Sequence, residues 1–430
     1  MDAVDLRRTL SDELHARAFD NFSGSGRFIR FIYLVEGNAD VIVEYVNKFL
    51  EREGQAPIPL SSKFSSFNLG HYSLDFERHT EFISVSFIQK YDSLLVGLSP
   101  DAYNARSVAL PIEWAHASPG QIFHAIWLEV GGEPPDGLTE QKMLQLMQAR
   151  AVAANQFSDG AAQVYFAFDI DAAGFSRVAL FNKSMVASRL GRAVQRIVEL
   201  ETYRLLALLG FATVTEYGSK LDSITRHVGE ITNELAEQIK QPDSHVEGML
   251  SKLSAQAADL ENIYSKASYR MAATKAYDSI VENRLEGLRV SRVEGFQGVK
   301  GFLNRRMLPA IDSCRAFSER LRRLSERISR AGDLLQTQTE MIIQRQNQEL
   351  LISMNRRAKT QLRLQQTVER LSIAAVTYYG VGLVGFLGMS FPLEAWGIDL
   401  VALKAASIPI IAGFVWLTIY QVKKTHLIDC

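Results

Sequence analysis

Cysteine is nearly missing from this chain. Its 430 residues hold two, Cys314 and Cys430, so no disulfide framework can staple the fold, and a reducing compartment is the expectation. The opening stretch MDAVDLRRTLSDELHARAF lacks the apolar core of a secretory leader and is charged and amphipathic instead. An excess of either charge is missing too. Lys and Arg number 47 against 48 Asp and Glu, for a net charge of −1, which argues against a general nucleic-acid binder held by phosphate charge. No Ser/His/Asp or Cys/His arrangement suited to nucleophilic catalysis can be assembled, so an enzyme is not expected. Between Asp333 and Tyr379 there is neither Gly nor Pro, and nothing there stops a helix.

Long apolar runs are present, and both lie at the C-terminal end. Residues 371–389 read LSIAAVTYYGVGLVGFLGM, and the run stays uncharged through Leu393. A bilayer core takes about 20 mostly apolar residues as a helix. Residues 405–422 form a second such run, and the connector 391–404 carries Pro392, Glu394, Trp396, Gly397 and Asp399. The expectation is a two-helix transmembrane hairpin over 371–422, with the lipid bilayer as a partner. Arg356, Arg357, Lys359, Arg363 and Arg370 precede the first run, and Lys423 and Lys424 follow the second. Basic residues stay on the cytoplasmic side, which predicts both termini in the cytoplasm of a bacterial inner membrane. Gly380, Gly382, Gly385 and Gly388 allow close helix approach. They predict packing or pore lining, and association of several copies into a homo-oligomer.

Residues 1–185 read as a mixed α/β domain. Strands are expected at 27–36, 65–73, 77–89 and 121–130, with a hairpin of 164–170 and 177–181 around the turn 171–174. Helices are expected at 6–18 and 40–53. Helices and strands do not alternate regularly, which predicts an antiparallel or mixed sheet. Residues 188–303 turn helical. Leu221, Ile224, Val228, Ile231 and Leu235 keep the 3-4 spacing of a coiled-coil seam. Pro242 breaks it, and a second run, 246–288, carries Leu250, Leu253, Ala257, Leu260 and Tyr264. A Gly-rich patch at 293–302 predicts a turn. Residues 304–370 form a basic stem with 14 Lys and Arg against 7 acids. Its seam is Phe317, Leu321, Leu324, Ile328, Ala331, Leu335, Gln338 and Ile342, with Gly332 the weak point. The fold class expected is an α+β cytosolic domain, long bundle or stem helices, and the C-terminal hairpin.

Several clusters suggest chemistry. Glu77, His79 and Glu81 share one face of a strand by period two, and their types suit a divalent metal. A surface ion-pair ladder with Arg78 is the alternative. His15 and Arg17 read as a helix cap. DIDAAG at 169–174 lacks the distal Glu of a calcium loop, since Leu180 stands there, and predicts a β-turn. Glu199, Glu201 and Arg204 read as ion pairs between domains. At the end of the first apolar run, Gly388, Met389 and Ser390 precede Phe391 and Pro392, with Glu394 beyond. A glycine exit, a polar side chain and an acid suit cation entry.

Two resemblances add to this reading. The blocks ELHARAF at 13–19, ERHTEF at 77–82, GRAVQRIVELETYR at 191–204 and the long stretch 346–385 resemble a bacterial family of membrane-anchored proteins of unknown function. This chain has Ala18 where Pro is expected and Arg370 where Gly is usual. The architecture also resembles the CorA-type magnesium transporters, homopentamers with a stem helix lining the pore and Gly-Met-Asn ending the first span. The matching positions are Gly388, Met389 and Ser390, with the Asn replaced. That likeness implies a divalent cation as substrate and no other cofactor. Met389 and Ser390 would sit at the outer mouth, and Glu394 and Asp399 would attract cations. Two functions follow as expectations: a cation channel or transporter regulated by its cytosolic domain, or a membrane-anchored scaffold whose cytosolic helices bind partners.

Overall fold

The computed structural model describes residue 7 and residues 21–35, 37–91, 97–99, 102–157, 159–240, 246–288, 291–390 and 399–426. The helix expected at 6–18 with His15 and Arg17, the break at Pro242, and Glu394 lie outside the described residues. The chain divides into two compact units, Met1–Asp243 with Gly248–Gly332, and Ser244–Glu247 with Asp333–Cys430.

Among the described residues the first unit is built on nine strands: β1 (Ser25–Leu34), β2 (Phe64–Asn68), β3 (Ser73–Arg78), β4 (Phe82–Tyr91), β5 (Ile122–Gly131), β6 (Ala153–Phe157), β7 (Ala162–Ile170), β8 (Phe175–Asn182) and β9 (Ser291–Arg292). They lie in the order β2-β3-β4-β1-β5-β8-β7-β6-β9. The β5–β8 pair is parallel and its neighbours are antiparallel, so the sheet is mixed. β1 is buried along nearly its whole length, as a central strand covered on both faces must be. Alternation along it sends Phe28 and Ile32 to one core and Ile29, Phe31 and Tyr33 to the other.

Each face has its own cover. Short helices α1 (Ala39–Arg52), α2 (Ile112–His116) and α3 (Glu140–Met147) bring Ile42, Val46, Ala115, Met143 and Met147 against Phe31, Trp127 and Phe175. The other face is covered by α4 (Ala187–Lys240), α5 (Val246–Gly287), α6 (Val299–Arg306) and the start of α7 (Leu308–Met389). Ile197, Leu206, Val281, Leu303 and Ile311 there meet Ile126, Val164 and Val178. The segment 188–303 therefore shares a core with the sheet, and β9 pairs antiparallel with β6. Asn155 secures that join, with Nδ2 donating to the Ser291 carbonyl (2.7 Å) and Oδ1 accepting from the Val299 amide (2.7 Å).

The stretch 77–89 is not one strand. β3 ends at Arg78 and β4 starts at Phe82, paired antiparallel with Arg78 opposite Ile83. The His79 amide donates to the Phe82 carbonyl at 2.8 Å and closes the hairpin. Period-two reasoning needs an extended backbone throughout, and the turn breaks it. In α4 the seam Leu221, Ile224, Val228, Ile231 and Leu235 is buried as expected. In α5 the buried stripe includes Met249, Leu253, Leu260 and Ile263, while Leu250 and Tyr264 are exposed.

α7 begins with Pro309 in its first turn, where a missing amide costs no hydrogen bond, and runs without a break through Gly332. Phe317, Leu321, Leu324, Ile328 and Ala331 are buried. Its arginines bind neighbouring helices: Arg320 pairs with Asp222, Arg327 Nη2 donates to Thr232 Oγ1 at 2.7 Å, and Arg315 meets Asp278 at 2.6 Å. The basic character of this part of the stem is thus used within the first unit.

In the second unit, the end of α7 and α8 (Leu400–His426) are long and apolar enough to cross a membrane. Only 11% and 6% of their apolar windows are buried, which sets them apart from the core helices of a soluble bundle.

Leu324→Ala should cost about 2–5 kcal/mol, read as a lower Tm. Ser325→Ala, on the exposed side, should change stability by less than about 0.5 kcal/mol. Equal melting of both variants and wild type would show that the Leu324 face is not packed.

Candidate functional site

The residues singled out in the sequence fall in two places, the C-terminal apolar hairpin and the β3–β4 hairpin. In the first, the glycines of α7 are partly taken up by α8 of the same chain. A Cβ on Gly380 would stand 2.9 Å from Ile411 Cγ2, and one on Gly385 would stand 2.2 Å from Lys404 Cε. Among the described residues no neighbour's heavy atom lies within 4 Å of that position at Gly382. Gly382 opens instead onto a groove of about 620 Å³, whose other walls include Tyr378, Phe386, Ser390 and Lys404.

Gly388 is buried, and Met389 and Ser390 are exposed. The Ser390 amide donates to the Leu387 carbonyl at 3.0 Å, which closes the last turn. Asp399 is an N-cap for α8: its Oδ1 accepts from the Val401 amide at 3.2 Å and its carbonyl from the Leu403 amide at 3.0 Å. The mouth expected from the sequence omitted Lys404. Its aliphatic chain lies over Gly385, and it lines the same groove as Ser390.

The β3–β4 hairpin leaves Glu77 beside His79 and turns Glu81 away from both. Glu77 accepts from Arg30 Nη2 at 3.1 Å and lies 3.3 Å from His79 Nε2. Glu81 turns to α5, where its Oε2 accepts from the Tyr277 hydroxyl at 2.6 Å and it pairs with Arg270 at 2.8 Å. Burial, helped by the Glu81 carboxylate, holds that phenol protonated well above its ordinary range. Among the described residues no group of three or more His, Cys, Asp and Glu gathers as a metal site would. Glu81 ties the strand turn to α5, while Glu77 and His79 hold it to β1 and to Phe82 of β4.

Two buried polar groups lie on opposite faces of the sheet. On one, Arg27 pairs with Glu129 at 3.0 Å, and the Trp127 indole donates to the same carboxylate at 2.7 Å. Burial pushes the Glu129 carboxyl up to about 7, against the pull of Arg27. On the other, Arg204 Nη2 donates to Glu201 at 2.6 Å with its guanidinium 4.8 Å from the Phe168 ring centroid, and His124 Nε2 stands 3.9 Å from Glu201. Neither His124 ring nitrogen has a hydrogen-bond partner among the described residues. Burial, and then the Arg204 charge, lowers its pKa to about 3, so the ring is neutral. The ion pairs expected between domains at Glu199, Glu201 and Arg204 form within one compact unit instead: Glu201 pairs with Arg204 one turn along the same helix, and Glu199 with Arg284 of α5. The inner partners went unread. Their signal was a charged or imidazole residue inside an apolar strand, as in RFIRFIYLVE and QIFHAIWLEV.

A family model described as a protein of unknown function (DUF3422) matches residues 2–426. The chain belongs to this family. Comparison with curated proteins and with solved structures returned no match. The resemblance carried by ELHARAF, ERHTEF and the other blocks thus extends over nearly the whole chain. The likeness to CorA-type transporters gains no support from these comparisons.

His124 makes a titration test possible. Its folded pKa is depressed, so its contribution is present above the unfolded value near 6.5 and is lost as pH falls toward about 3. His124→Leu should remove that loss. At pH 5 the variant should gain about 2 kcal/mol on wild type relative to pH 8, measured by denaturant melts. An unchanged difference between the two pH values would mean that the ring is hydrated in the fold.

Proposed function

We propose that this protein is a membrane-anchored, self-associating scaffold. The C-terminal hairpin holds it in a bacterial inner membrane with both termini cytoplasmic, and the helical part of the first unit serves partners on that side. The observation that carries the reading is the bare seam of α7 ahead of the apolar run. Ile343, Asn347, Leu350, Met354, Arg357, Gln361, Leu364, Val368 and Leu371 follow a 3-4 spacing over about four heptads. Its apolar members are exposed, Leu364 at 66% and Leu371 at 73%. A single helix with such a stripe has nothing to bury it. A second copy, anchored in the same membrane plane and pointing the same way, presents the same stripe in register. Asn347, Arg357 and Gln361 then form polar layers that lower stability and fix alignment.

Conduction of a cation along CorA-like lines is the second reading. It is favoured by Gly382 and Ser390 on the side of α7 that α8 leaves open. Against it, Lys404 brings an ammonium group to that groove, which opposes cation entry in a low-dielectric setting. Asp399 is engaged in capping α8.

Leu350→Asn with Met354→Asn should shift the full chain in mild detergent from an oligomer to a monomer by light scattering, with the melting of the first unit unchanged. A wild-type monomer would sink the self-association. In proteoliposomes the wild type should carry neither magnesium nor potassium nor sodium. Flux that Ser390→Trp abolishes would overturn the scaffold reading in favour of conduction.

A further inference from the structure

Three arginines crowd one face of a helix near its start. Arg189, Arg192 and Arg196 lie at i, i+3 and i+7 in the first turns of α4, and so share one face. The positive end of the helix dipole repels Arg189 in the first turn, and the like charges of Arg189 and Arg192, and of Arg192 and Arg196, three and four residues apart, destabilise the helix. No acid occupies the first turn of α4. Arg196 is fixed, its Nη1 donating to the Gly287 carbonyl at the end of α5 at 2.6 Å. A Cβ on Gly287 would touch the same guanidinium at 3.4 Å. The side chains of Arg189 and Arg192 are exposed and make no hydrogen bond or ion pair among the described residues.

These arginines line a pocket of about 440 Å³, within the range of small-ligand sites. Its apolar wall is Phe157, Met185 and Leu288, and Asp159 is its one acid. We propose that this pocket binds a small molecule carrying two phosphate groups on a hydroxylated or aromatic body. Two unengaged guanidinium forks, with the third held by Gly287, offer charge-assisted, bidentate donors to phosphate oxygens. Met185, the half-buried member of the apolar wall, packs against the body of the ligand, and Asp159 accepts a hydrogen bond from a hydroxyl or amino group. Bound phosphate would also offset the like-charge repulsion along α4. The site lies in the first unit and does not depend on the hairpin, so it stands or falls apart from the scaffold reading.

The test is calorimetric titration of the full chain in detergent with pyrophosphate, ADP, inositol bisphosphate and adenosine. Pyrophosphate and at least one of the two larger phosphates should bind, adenosine should not, and affinity should fall as salt rises. Tighter binding of ADP points to a free nucleotide, and tighter binding of inositol bisphosphate to a lipid headgroup. Arg189→Glu with Arg192→Glu should weaken binding at least ~100-fold without lowering Tm, since both side chains are exposed. Arg192→Lys keeps the charge and should lose only part of the affinity. No binding by any phosphate, equal binding of adenosine, or binding that survives the double reversal would overturn the proposal.

Discussion

A sheet apolar on both faces cannot stand alone in water, and the first unit follows from that constraint. β1, β5 and β8 bury side chains above and below, so two covers are required. The short helices between strands supply one. The strands leave nothing of their own for the other, and the long helices that follow are drawn onto it. That requirement explains why α4, α5 and the start of α7 belong to the same compact unit as the sheet. The buried polar pairs ride on the arrangement. Glu81 with Arg270 and Tyr277 fastens the β3–β4 turn to α5, and Glu201 with Arg204 lies between α4 and the sheet. Such pairs add little net stability once desolvation is counted, yet removing one partner strands the other. Their effect is to single out one docking of helix on sheet.

Much of the architecture was legible. Runs rich in aromatic and β-branched residues located the strands at 27–36, 121–130 and the 164–181 hairpin, and 3-4 spacing located α4 and α7. The absence of Gly and Pro after Asp333 foretold the unbroken helix. What failed was local and has local causes. Glu77, His79 and Glu81 were read as one strand because composition alone does not reveal a tight turn closed by a backbone bond. Leu250 and Tyr264 were read as buried because a 42-residue helix offers more than one stripe. The union of sheet and helices was illegible because nothing local in 188–303 says which surface its apolar stripe will meet. The arginine pocket was hidden for a similar reason: the spacing of Arg189, Arg192 and Arg196 is visible in the sequence, but the wall opposite them comes from Phe157 and Leu288.

The C-terminal hairpin refines how its small residues act. Glycines in an apolar helix invite a neighbour, and here α8 answers at Gly380 and Gly385. What remains outward is the aromatic and aliphatic side of α7, with Gly382 among Tyr378, Tyr379 and Phe386. Lys404 is placed where an aliphatic stem crosses a glycine and leaves the ammonium near the exit of the helix, the usual way for a lysine to reach polar surroundings from an apolar one.

Synthesis on the ribosome gives the β6–β9 join a further meaning. Asn155 and its partner Ser291 are 136 positions apart. At roughly 5–20 residues per second, the edge of β6 stays open for roughly 7 to 30 seconds after it emerges. During that interval α4 and α5 also emerge, and the second sheet face lacks the part of its cover that α6 and the start of α7 supply. An open strand beside a partly bare apolar face is a template for the wrong pairing. The nascent chain therefore passes through a window of vulnerability, closed when residues 291–299 arrive and well before the apolar hairpin itself is made.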